Sequence, residues 1–259
     1  MPASSAALPD ESPNLGRIIG AIPARYDSVR LPGKPLREIA GKTLIEHVYR
    51  RASAATTLDE VVVLTDDERI GNAVRDFGGD YQMTPRECAS GTDRIAFAAR
   101  DWNADAIVNI QGDEPLIEPQ AIDRLAQHLR VGADAMATLA APASPRDLAD
   151  VNVVKVVTDL SGKALYFSRA AIPFCRDGGE PAALRHIGIY GYTRQTLLQL
   201  TELEPSPLER QESLEQLRAL ENGIAIRVLR VARAWQGVDT IEDLQRIESL
   251  LSQAPAPTA

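Results

Sequence analysis

Short apolar runs alternate with segments of helical periodicity in the first half of this chain, and that alternation limits the fold more than any other feature. The runs predicted to be strands are 17–22, 60–64, 80–83 and 106–110. Apolar residues with helical spacing follow them at 44–52, 70–77, 91–102 and 119–129. Strands and helices that alternate in this way predict an α/β fold, in which a mostly parallel sheet is flanked by helices.

The second half is less regular and predicts an extension of the sheet. Segments 153–157 and 163–167 flank a turn composition at 158–162, so we expect a hairpin there. Two further strands are expected, at 186–192 and 224–231. Two further helices are expected, at 206–221 and 240–251. Ser206, Pro207 and Glu209 form a strong helix start at the first of these.

The chain has 259 residues, and we expect one domain from 17 to 251, between a disordered arm at 1–16 and a disordered tail at 252–259. A net charge of −8 disfavours a general nucleic-acid surface. No apolar run approaches the ~20 residues of a membrane span, and the N-terminal stretch lacks the features of a secretory signal. Cys88 and Cys175 form no metal-ligand pair by spacing, and free thiols fit a cytoplasmic location.

A basic loop follows the first predicted strand. Five basic and two acidic residues lie between Arg25 and Lys42, in an otherwise acidic chain. Cations at the carboxyl end of a first strand lie where open α/β sheets bind phosphates, and Arg and Lys both bind phosphate oxygens. A solvated surface loop, turned by its Pro and Gly, is the alternative interpretation.

Six segments, in order along the chain, resemble the cytidylyltransferases that activate 3-deoxy-manno-octulosonate (KDO), also called CMP-KDO synthetases. The segments are PARYDSVRLPGKPL at 23–36, SGTDR at 90–94, NIQGDEP at 109–115, ALYFSR at 164–169, RHIGIYGY at 185–192 and GVDT at 237–240. One such motif would be weak evidence, whereas six in order are strong evidence. The resemblance implies a nucleotidyltransferase fold, here with the predicted hairpin as an extension.

Two carboxylates are candidate metal ligands. Asp113 directly follows a predicted strand, at the edge where the basic loop also lies, and Mg²⁺ between a carboxylate and phosphates would turn their repulsion into attraction. The resemblance implies that Asp239 binds the same Mg²⁺. Read from the residues alone, Asp113 is a turn acid at a strand end, and Asp239 is a capping acid before the last helix.

The resemblance also implies a nucleotide site for CTP. Arg25, Arg30 and Lys34 would contact the phosphates, and Arg25 and Lys34 are counted with Asp113 and Asp239 as catalytic. The remaining candidates are Pro23, Ala24, Arg86, Ser90, Thr92 and Gln111. Backbone groups at Pro23 and Ala24 would bind a pyrimidine, while Arg86 and Gln111 would lie near the cytosine. Ser90 and Thr92 lie at a predicted helix start, where a simple N-cap is about as probable as an anion site.

A third set is expected to bind the sugar acid, which carries a carboxylate and several hydroxyls. Its members are Arg169, Arg185, His186, Tyr190, Glu215 and Gln216. A lone His in a strand is more often structural than catalytic, and we expect His186 to contact substrate without acting as a base. Glu215 and Gln216 could equally form the solvated face of an amphipathic helix.

These features together predict CMP transfer from CTP to KDO, with pyrophosphate as the second product. By resemblance, the product would serve lipopolysaccharide biosynthesis, and the enzyme would be a homodimer with contacts in the hairpin region. No side chain stands out as a general base. Two alternatives remain: a cytidylyltransferase for a related sugar acid, such as 8-amino-KDO or a nonulosonate, and a non-catalytic nucleotide-binding regulator.

Overall fold

The computed structural model describes residues 16–27, 31–177 and 182–253. Its strands are β1 (Ile18–Ala24), β2 (Glu38–Ile39), β3 (Lys42–Thr43), β4 (Glu60–Thr65), β5 (Tyr81–Met83), β6 (Ala106–Asn109), β7 (Met136–Pro142), β8 (Lys155–Thr158), β9 (Ala164–Ser168), β10 (Leu184–Thr193) and β11 (Arg227–Arg230). Its α-helices are α1 (Leu44–Ser53), α2 (Glu68–Asp76), α3 (Gly91–Ala99), α4 (Pro119–Arg130), α5 (Pro145–Ala149), α6 (Arg194–Glu202), α7 (Pro207–Glu212), α8 (Gln216–Glu221) and α9 (Ile241–Gln253). No described helix is both long and apolar enough to cross a membrane.

A nine-stranded sheet organises these elements, in the order β11-β7-β10-β6-β1-β4-β5, with β8 paired to β10 and β9 paired to β8. Strand β1 lies between β4 and β6 and is parallel to both. Strand β10 is antiparallel to β6 and to β7, and β11 is parallel to β7. The α/β fold with a mostly parallel sheet is therefore confirmed, and the predicted hairpin corresponds to the antiparallel pair β8–β9.

Helices cover both faces of the sheet because β1 alternates its side chains between two apolar clusters. Ile18 and Ile22 pack in one cluster with residues of α1, α2 and α4. Ile19 and Ala21 pack in the other with residues of α3, α6 and α8. Successive residues of a strand point to opposite faces, so a strand buried on both faces is continuously apolar.

A third, smaller cluster joins the two ends of the domain. It contains Leu31, Ile39, Leu44, Val238 and Ile247, all buried. Burying each of these aliphatic side chains contributes about 1.5–3 kcal/mol. The cluster therefore fixes the loop after β1 against the segment before α9. These segments are far apart in sequence: Lys34 in the first and Asp239 in the second are separated by 205 residues.

Several predicted bounds were wrong. Strand β7 was missed because its sequence, MATLAAP, is rich in Ala and has few β-branched residues. Helix α6 was also missed, although Thr193 caps it by accepting a hydrogen bond from Thr196 N. The helix predicted at 206–221 is two helices, because Ser213 adopts the left-handed conformation with φ 52°. Ser252 and Gln253 belong to α9, and the predicted arm and tail otherwise lie almost entirely outside the described residues.

Candidate active site

A cleft of about 470 Å³ lies at the carboxyl ends of β1 and β6. Its lining residues are Pro23, Ala24, Arg25, Lys34, Pro35, Cys88, Ala89, Ser90, Gly91, Arg94, Gln111, Gly112, Asp113 and Asp239. These residues come from the ends of parallel strands, the loop after β1 and the start of α3. This edge of an α/β sheet is the usual position of a ligand site. Gly112 permits a close approach there, since a Cβ would lie 2.9 Å from Pro23 O.

Lys34 joins the two predicted metal-ligating carboxylates. Its Nζ lies 2.7 Å from Asp113 Oδ2 and 3.3 Å from Asp239 Oδ1, and it donates a third hydrogen bond to Val238 O at 2.9 Å. The Lys34 side chain is 16% exposed, whereas those of Asp113 and Asp239 are 33% and 48% exposed. The lysine is thus the more buried member of the cluster, and the two carboxylates are more open to the cleft.

Glu114 is a neighbouring carboxyl group that the sequence analysis did not select. Its Oε2 is buried and has no hydrogen-bond partner among the described residues. Burial, and next the charge of Asp113, raises the pKa of Glu114 to about 8. Its only sequence signal was its place after Asp113 in the NIQGDEP segment. A carboxyl that stays largely protonated at neutral pH limits the negative charge collected at this edge.

Helix α3 places two predicted nucleotide contacts at the cleft. Ser90 forms a capping box with Asp93, in which Ser90 Oγ accepts from Asp93 N at 3.1 Å and Ser90 N donates to Asp93 Oδ2 at 3.0 Å. Ser90 therefore both caps the helix and lines the cleft. Thr92 is buried, and its hydroxyl opposes the rise that burial causes in the pKa of Glu215 and of Tyr192. This arrangement places Thr92 behind the lining.

The remaining nucleotide candidates are divided. Pro23, Ala24, Arg25 and Gln111 line the cleft. Arg86 lies outside the lining and forms an exposed ion pair with Asp27 at 2.7 Å. Arg30 lies outside the described residues.

Two of the lining residues that the sequence analysis did not select have polar or charged side chains. They are Cys88 and Arg94. Arg94 is only 3% exposed, and it donates to Thr84 Oγ1 and forms an ion pair with Asp66 at 3.5 Å. Arg94 therefore connects the start of α3 to the segments that carry Asp66 and Thr84, behind the surface of the cleft.

The six sugar-acid candidates form a second group beside this cleft, and the described lining includes none of them. Arg185 pairs with Asp147 at 3.0 Å, and its charge acts on Glu114. His186 Nε2 lies 3.0 Å from Thr138 Oγ1, and burial lowers the pKa of His186 to about 3, so its ring is neutral at ordinary pH. Its ring centroid lies 5.4 Å from that of Tyr190.

The register of the sheet connects the two groups. Tyr190 of β10 pairs with Asn109 of β6, two residues before Gln111. Burial raises the pKa of Glu215, and the hydroxyls of Thr92 and Ser90 at the start of α3 oppose that rise. Gln216 is buried at the start of α8. The predicted sugar residues therefore adjoin the nucleotide residues through β10 and α8.

Arg169 differs from the other candidates because its guanidinium is bound to main-chain oxygens. Its Nε donates to Glu212 O at 2.9 Å, and its terminal nitrogens donate to Val151 O at 3.3 Å and Ser213 O at 3.4 Å. These contacts join β9 to the break between α7 and α8. In this arrangement Arg169 fixes the hairpin to the helical face.

Comparison with known proteins decides the family. The model of the family described as "Cytidylyltransferase" matches residues 19–227. A protein of Solibacter usitatus named 3-deoxy-manno-octulosonate cytidylyltransferase is 51% identical over 237 residues, which cover 90% of this chain and 94% of the relative. A Myxococcus xanthus protein of the same name is 48% identical, with 91% and 96% covered. The chain belongs to the 3-deoxy-manno-octulosonate cytidylyltransferase family.

Solved structures agree with this placement. A CMP:2-keto-3-deoxy-manno-octonic acid synthetase complexed with CTP matches with a TM-score of 0.89 and 44% identity, over 92% of this chain and 99% of that one. A putative glucose-1-phosphate thymidylyltransferase from Bacillus anthracis matches with a TM-score of 0.64 at 17% identity, over 93% and 98% of the two chains, which shows the fold alone. The chain is therefore an enzyme of the nucleotidyltransferase class, with the fold that the sequence predicted.

The donor set at Asp113 and Asp239 fits the divalent cation expected in a cytidylyltransferase. Both carboxylates already contact one positive charge, the Lys34 ammonium. Within the described part of the chain, no group of three or more His, Cys, Asp or Glu side chains forms a metal site by itself. Mg²⁺ is commonly bound by one or two carboxylates, with phosphates and waters completing its shell. Two carboxylates beside the basic loop after β1 meet that requirement.

Proposed function

We propose that this protein transfers the cytidylyl group of CTP to KDO, giving CMP-KDO and pyrophosphate. The observation that carries the proposal is the Lys34–Asp113–Asp239 cluster at the open side of the cleft. Two acids and a fixed cation beside a Gly-containing strand-end loop suit phosphoryl chemistry, because such a site neutralises and orients phosphate groups. The family relationship supplies the choice of CTP and KDO.

In this proposal, the anomeric hydroxyl of KDO attacks the α-phosphorus of CTP in line, its proton passes to solvent, and pyrophosphate leaves. Asp113 and Asp239 would hold Mg²⁺, which would stabilise negative charge on the phosphate oxygens. Arg25, Arg30 and Lys34 stabilise the charge on the leaving pyrophosphate. The backbone at Pro23 and Ala24 binds the nucleoside together with Ser90 and Gln111. The pocket that they form is of a size that suits a pyrimidine base.

The sugar acid then occupies the side of the cleft next to β10. Arg169 and Arg185 bind its carboxylate, and Tyr190, Glu215 and Gln216 form hydrogen bonds with its hydroxyls. The neutral His186 ring serves as a hydrogen-bonding group, since a pKa of about 3 leaves it a poor acceptor of the hydroxyl proton. Orientation and electrostatic stabilisation carry the reaction without a dedicated base.

The proposal extends to the assembly and location of the enzyme. Leu160 and Leu165 in the β8–β9 hairpin and Phe174 beyond it are exposed large apolar side chains, and a second copy of the chain would cover them in a homodimer. Sedimentation velocity of the wild type and of Leu165→Asp measures this association. The cytoplasm, where CTP and Mg²⁺ are abundant, is the proposed compartment, and lipopolysaccharide assembly is the proposed use of the product.

Pyrophosphate release tests the function directly. The purified protein is mixed with CTP and Mg²⁺, and KDO, 8-amino-KDO or a nonulosonate is then added separately. Release with KDO well above the other acids is expected, whereas preference for another acid would move the protein to a sister specificity. CTP binding without release in any mixture would indicate a non-catalytic regulator. ATP, GTP and UTP in place of CTP test the pyrimidine pocket, and UTP is expected to be the nearest competitor.

A further inference from the structure

The Lys34 ammonium occupies the position of a shared counter-ion between Asp113 and Asp239. It lies 2.7 Å from one carboxylate and 3.3 Å from the other, and Val238 O holds it from behind at 2.9 Å. Val238 and Leu31 on either side of this contact belong to the same buried cluster. This packing therefore fixes the segments that carry Lys34 and Asp239, and so positions the ammonium beside the carboxylates.

Lys34 takes one oxygen of each carboxylate, Asp113 Oδ2 and Asp239 Oδ1, and a divalent cation would bind the same two side chains. Mg²⁺ binds carboxylate oxygens at about 2.0–2.1 Å and demands near-octahedral geometry. An ammonium 2.7 Å from the same Asp113 oxygen would lie within a few ångströms of that ion, where two positive charges repel strongly. Each therefore weakens the binding of the other, even where the cation takes the carboxylate oxygens that Lys34 does not contact.

We propose that Lys34 competes with the divalent cation for Asp113 and Asp239, and that the cation releases Lys34 toward the phosphates of the nucleotide. This inference rests on the proposed function, in which the two carboxylates hold the metal. In the nucleotide-free protein Lys34 keeps the acids together and lowers their affinity for metal. Once triphosphate is present, the ammonium has new anionic partners, so nucleotide and metal favour each other's binding.

A Lys34 that only binds phosphate would behave differently. It would leave the metal affinity of the nucleotide-free protein almost unchanged, because without phosphate it would have no part in the site. The sign of the change in the absence of nucleotide therefore separates the two roles.

The first test measures Mn²⁺ binding to the nucleotide-free protein by electron paramagnetic resonance, which reports free metal without activity. Lys34→Met is expected to bind Mn²⁺ about tenfold more tightly than the wild type, which corresponds to about 1.4 kcal/mol. Arg25→Met is the matched control, since Arg25 lines the same cleft and has no described ion pair to either carboxylate. Lys42→Met removes an exposed charge elsewhere, and both controls are expected to change the affinity less than threefold, or about 0.65 kcal/mol.

Asp113→Asn separates the two hypotheses. If the wild type binds Mn²⁺ and Asp113→Asn abolishes that binding, the metal assignment stands, and equal or weaker binding by Lys34→Met then overturns the competition alone. If Asp113→Asn leaves Mn²⁺ binding unchanged, both the metal assignment and the competition are wrong. An equal gain in Mn²⁺ affinity in Lys34→Met and Arg25→Met also overturns the competition, because any positive charge removed from the cleft would then have the same effect.

The second test needs no variant. The wild type is treated with an amine-acetylating reagent, with and without Mn²⁺, and acetylation of each lysine is measured by peptide mass spectrometry. Competition predicts that Mn²⁺ increases the acetylation of Lys34 severalfold while Lys42 stays constant. No change at Lys34 at a Mn²⁺ concentration that saturates the protein would overturn the proposal.

Discussion

The nucleotide side and the sugar side of the site differ in what their charged side chains contact. On the nucleotide side, Arg25, Lys34, Asp113 and Asp239 line an open cleft. On the sugar side, Arg169 binds main-chain carbonyls and Arg185 is paired with Asp147. The charges of the first side come from strand ends and loops and face the cleft, whereas the charges of the second side also hold the fold together. Substitutions should therefore separate activity from stability on one side and combine them on the other.

The largest effect is expected on the nucleotide side, from Asp113→Asn. Loss of the carboxylate removes a metal ligand and one partner of Lys34, so turnover should fall by about a thousandfold or more. Asp113 is one-third exposed, and the melting temperature should change little. Steady-state pyrophosphate release and circular dichroism measure the two quantities.

Asp101→Asn is the control for Asp113→Asn, because Asp101 is exposed just beyond α3. It should leave both turnover and melting unchanged. Near-normal turnover of Asp113→Asn in Mg²⁺ would contradict the role of this carboxylate.

The next effect concerns stability and lies on the sugar side. Lys155 is fully buried, and its ammonium donates to Asp150 O at 3.0 Å, Val153 O at 2.6 Å and Arg169 O at 2.5 Å. Lys155→Met would leave these carbonyls without their donor, and buried polar groups without partners cost about 1–3 kcal/mol each. We expect the free energy of unfolding to fall by about 3 kcal/mol or more, measured by urea denaturation.

Lys163→Met in the same hairpin is the matched control, since Lys163 is only half-buried. Its effect should stay within ~0.5 kcal/mol. A stability of Lys155→Met equal to that of Lys163→Met would show that the carbonyl cluster does not support the sugar side.

The sequence predicted the features that depend on local patterns and missed those that depend on packing between distant segments. The start of α1 at Thr43 and the position of Asp113 at the end of β6 follow from local patterns, a side-chain cap and an apolar strand. The Lys34–Asp239 contact spans 205 residues and depends on packing at Leu31 and Val238, which no local pattern specifies. The left-handed Ser213 that breaks the helix before Glu215 likewise has no signal of the kind that Gly provides.

Arg169 and Arg25 give the most direct comparison of the two sides. Arg169→Ala should raise the KM for KDO about 10- to 150-fold, which corresponds to roughly 1.5–3 kcal/mol for a charge-assisted hydrogen bond. It should leave CTP affinity nearly unchanged. Because its donors also bind Glu212 O, Val151 O and Ser213 O, it should lower the melting temperature as well.

Arg25→Ala should show the reverse pattern, with weaker CTP binding and slower turnover at an unchanged melting temperature, because Arg25 is exposed in the cleft. Calorimetric titration of CTP, steady-state kinetics in both substrates and thermal melting measure all three quantities. If Arg169→Ala weakens CTP as much as Arg25→Ala does, the division into two sides is wrong. If Arg169→Ala lowers the melting temperature but leaves the KM for KDO unchanged, the role of Arg169 is structural alone.

The smallest effect is a pH dependence on the sugar side. Burial lowers the pKa of His186 to about 3, against an ordinary value near 6.5. Below pH 6.5 the unfolded chain takes up a proton that the folded chain does not, so the stability present above that pH is progressively lost as the pH falls toward 3. At pH 5.5 this single group should cost about 1.4 kcal/mol of unfolding free energy.

His186→Gln should remove that loss, since an amide does not titrate and can still hydrogen-bond to Thr138 Oγ1. Urea denaturation of both proteins between pH 5 and 8 measures the difference, with His47→Gln as the control for a His that is not in the sugar set. The pH profile of kcat should keep its shape in His186→Gln, because a ring that stays neutral contributes no ionisation to turnover. If wild type and His186→Gln lose the same stability as the pH falls, the pKa of the folded ring is not lowered. If the kcat profile loses its acid limb in His186→Gln, the ring takes part in proton transfer.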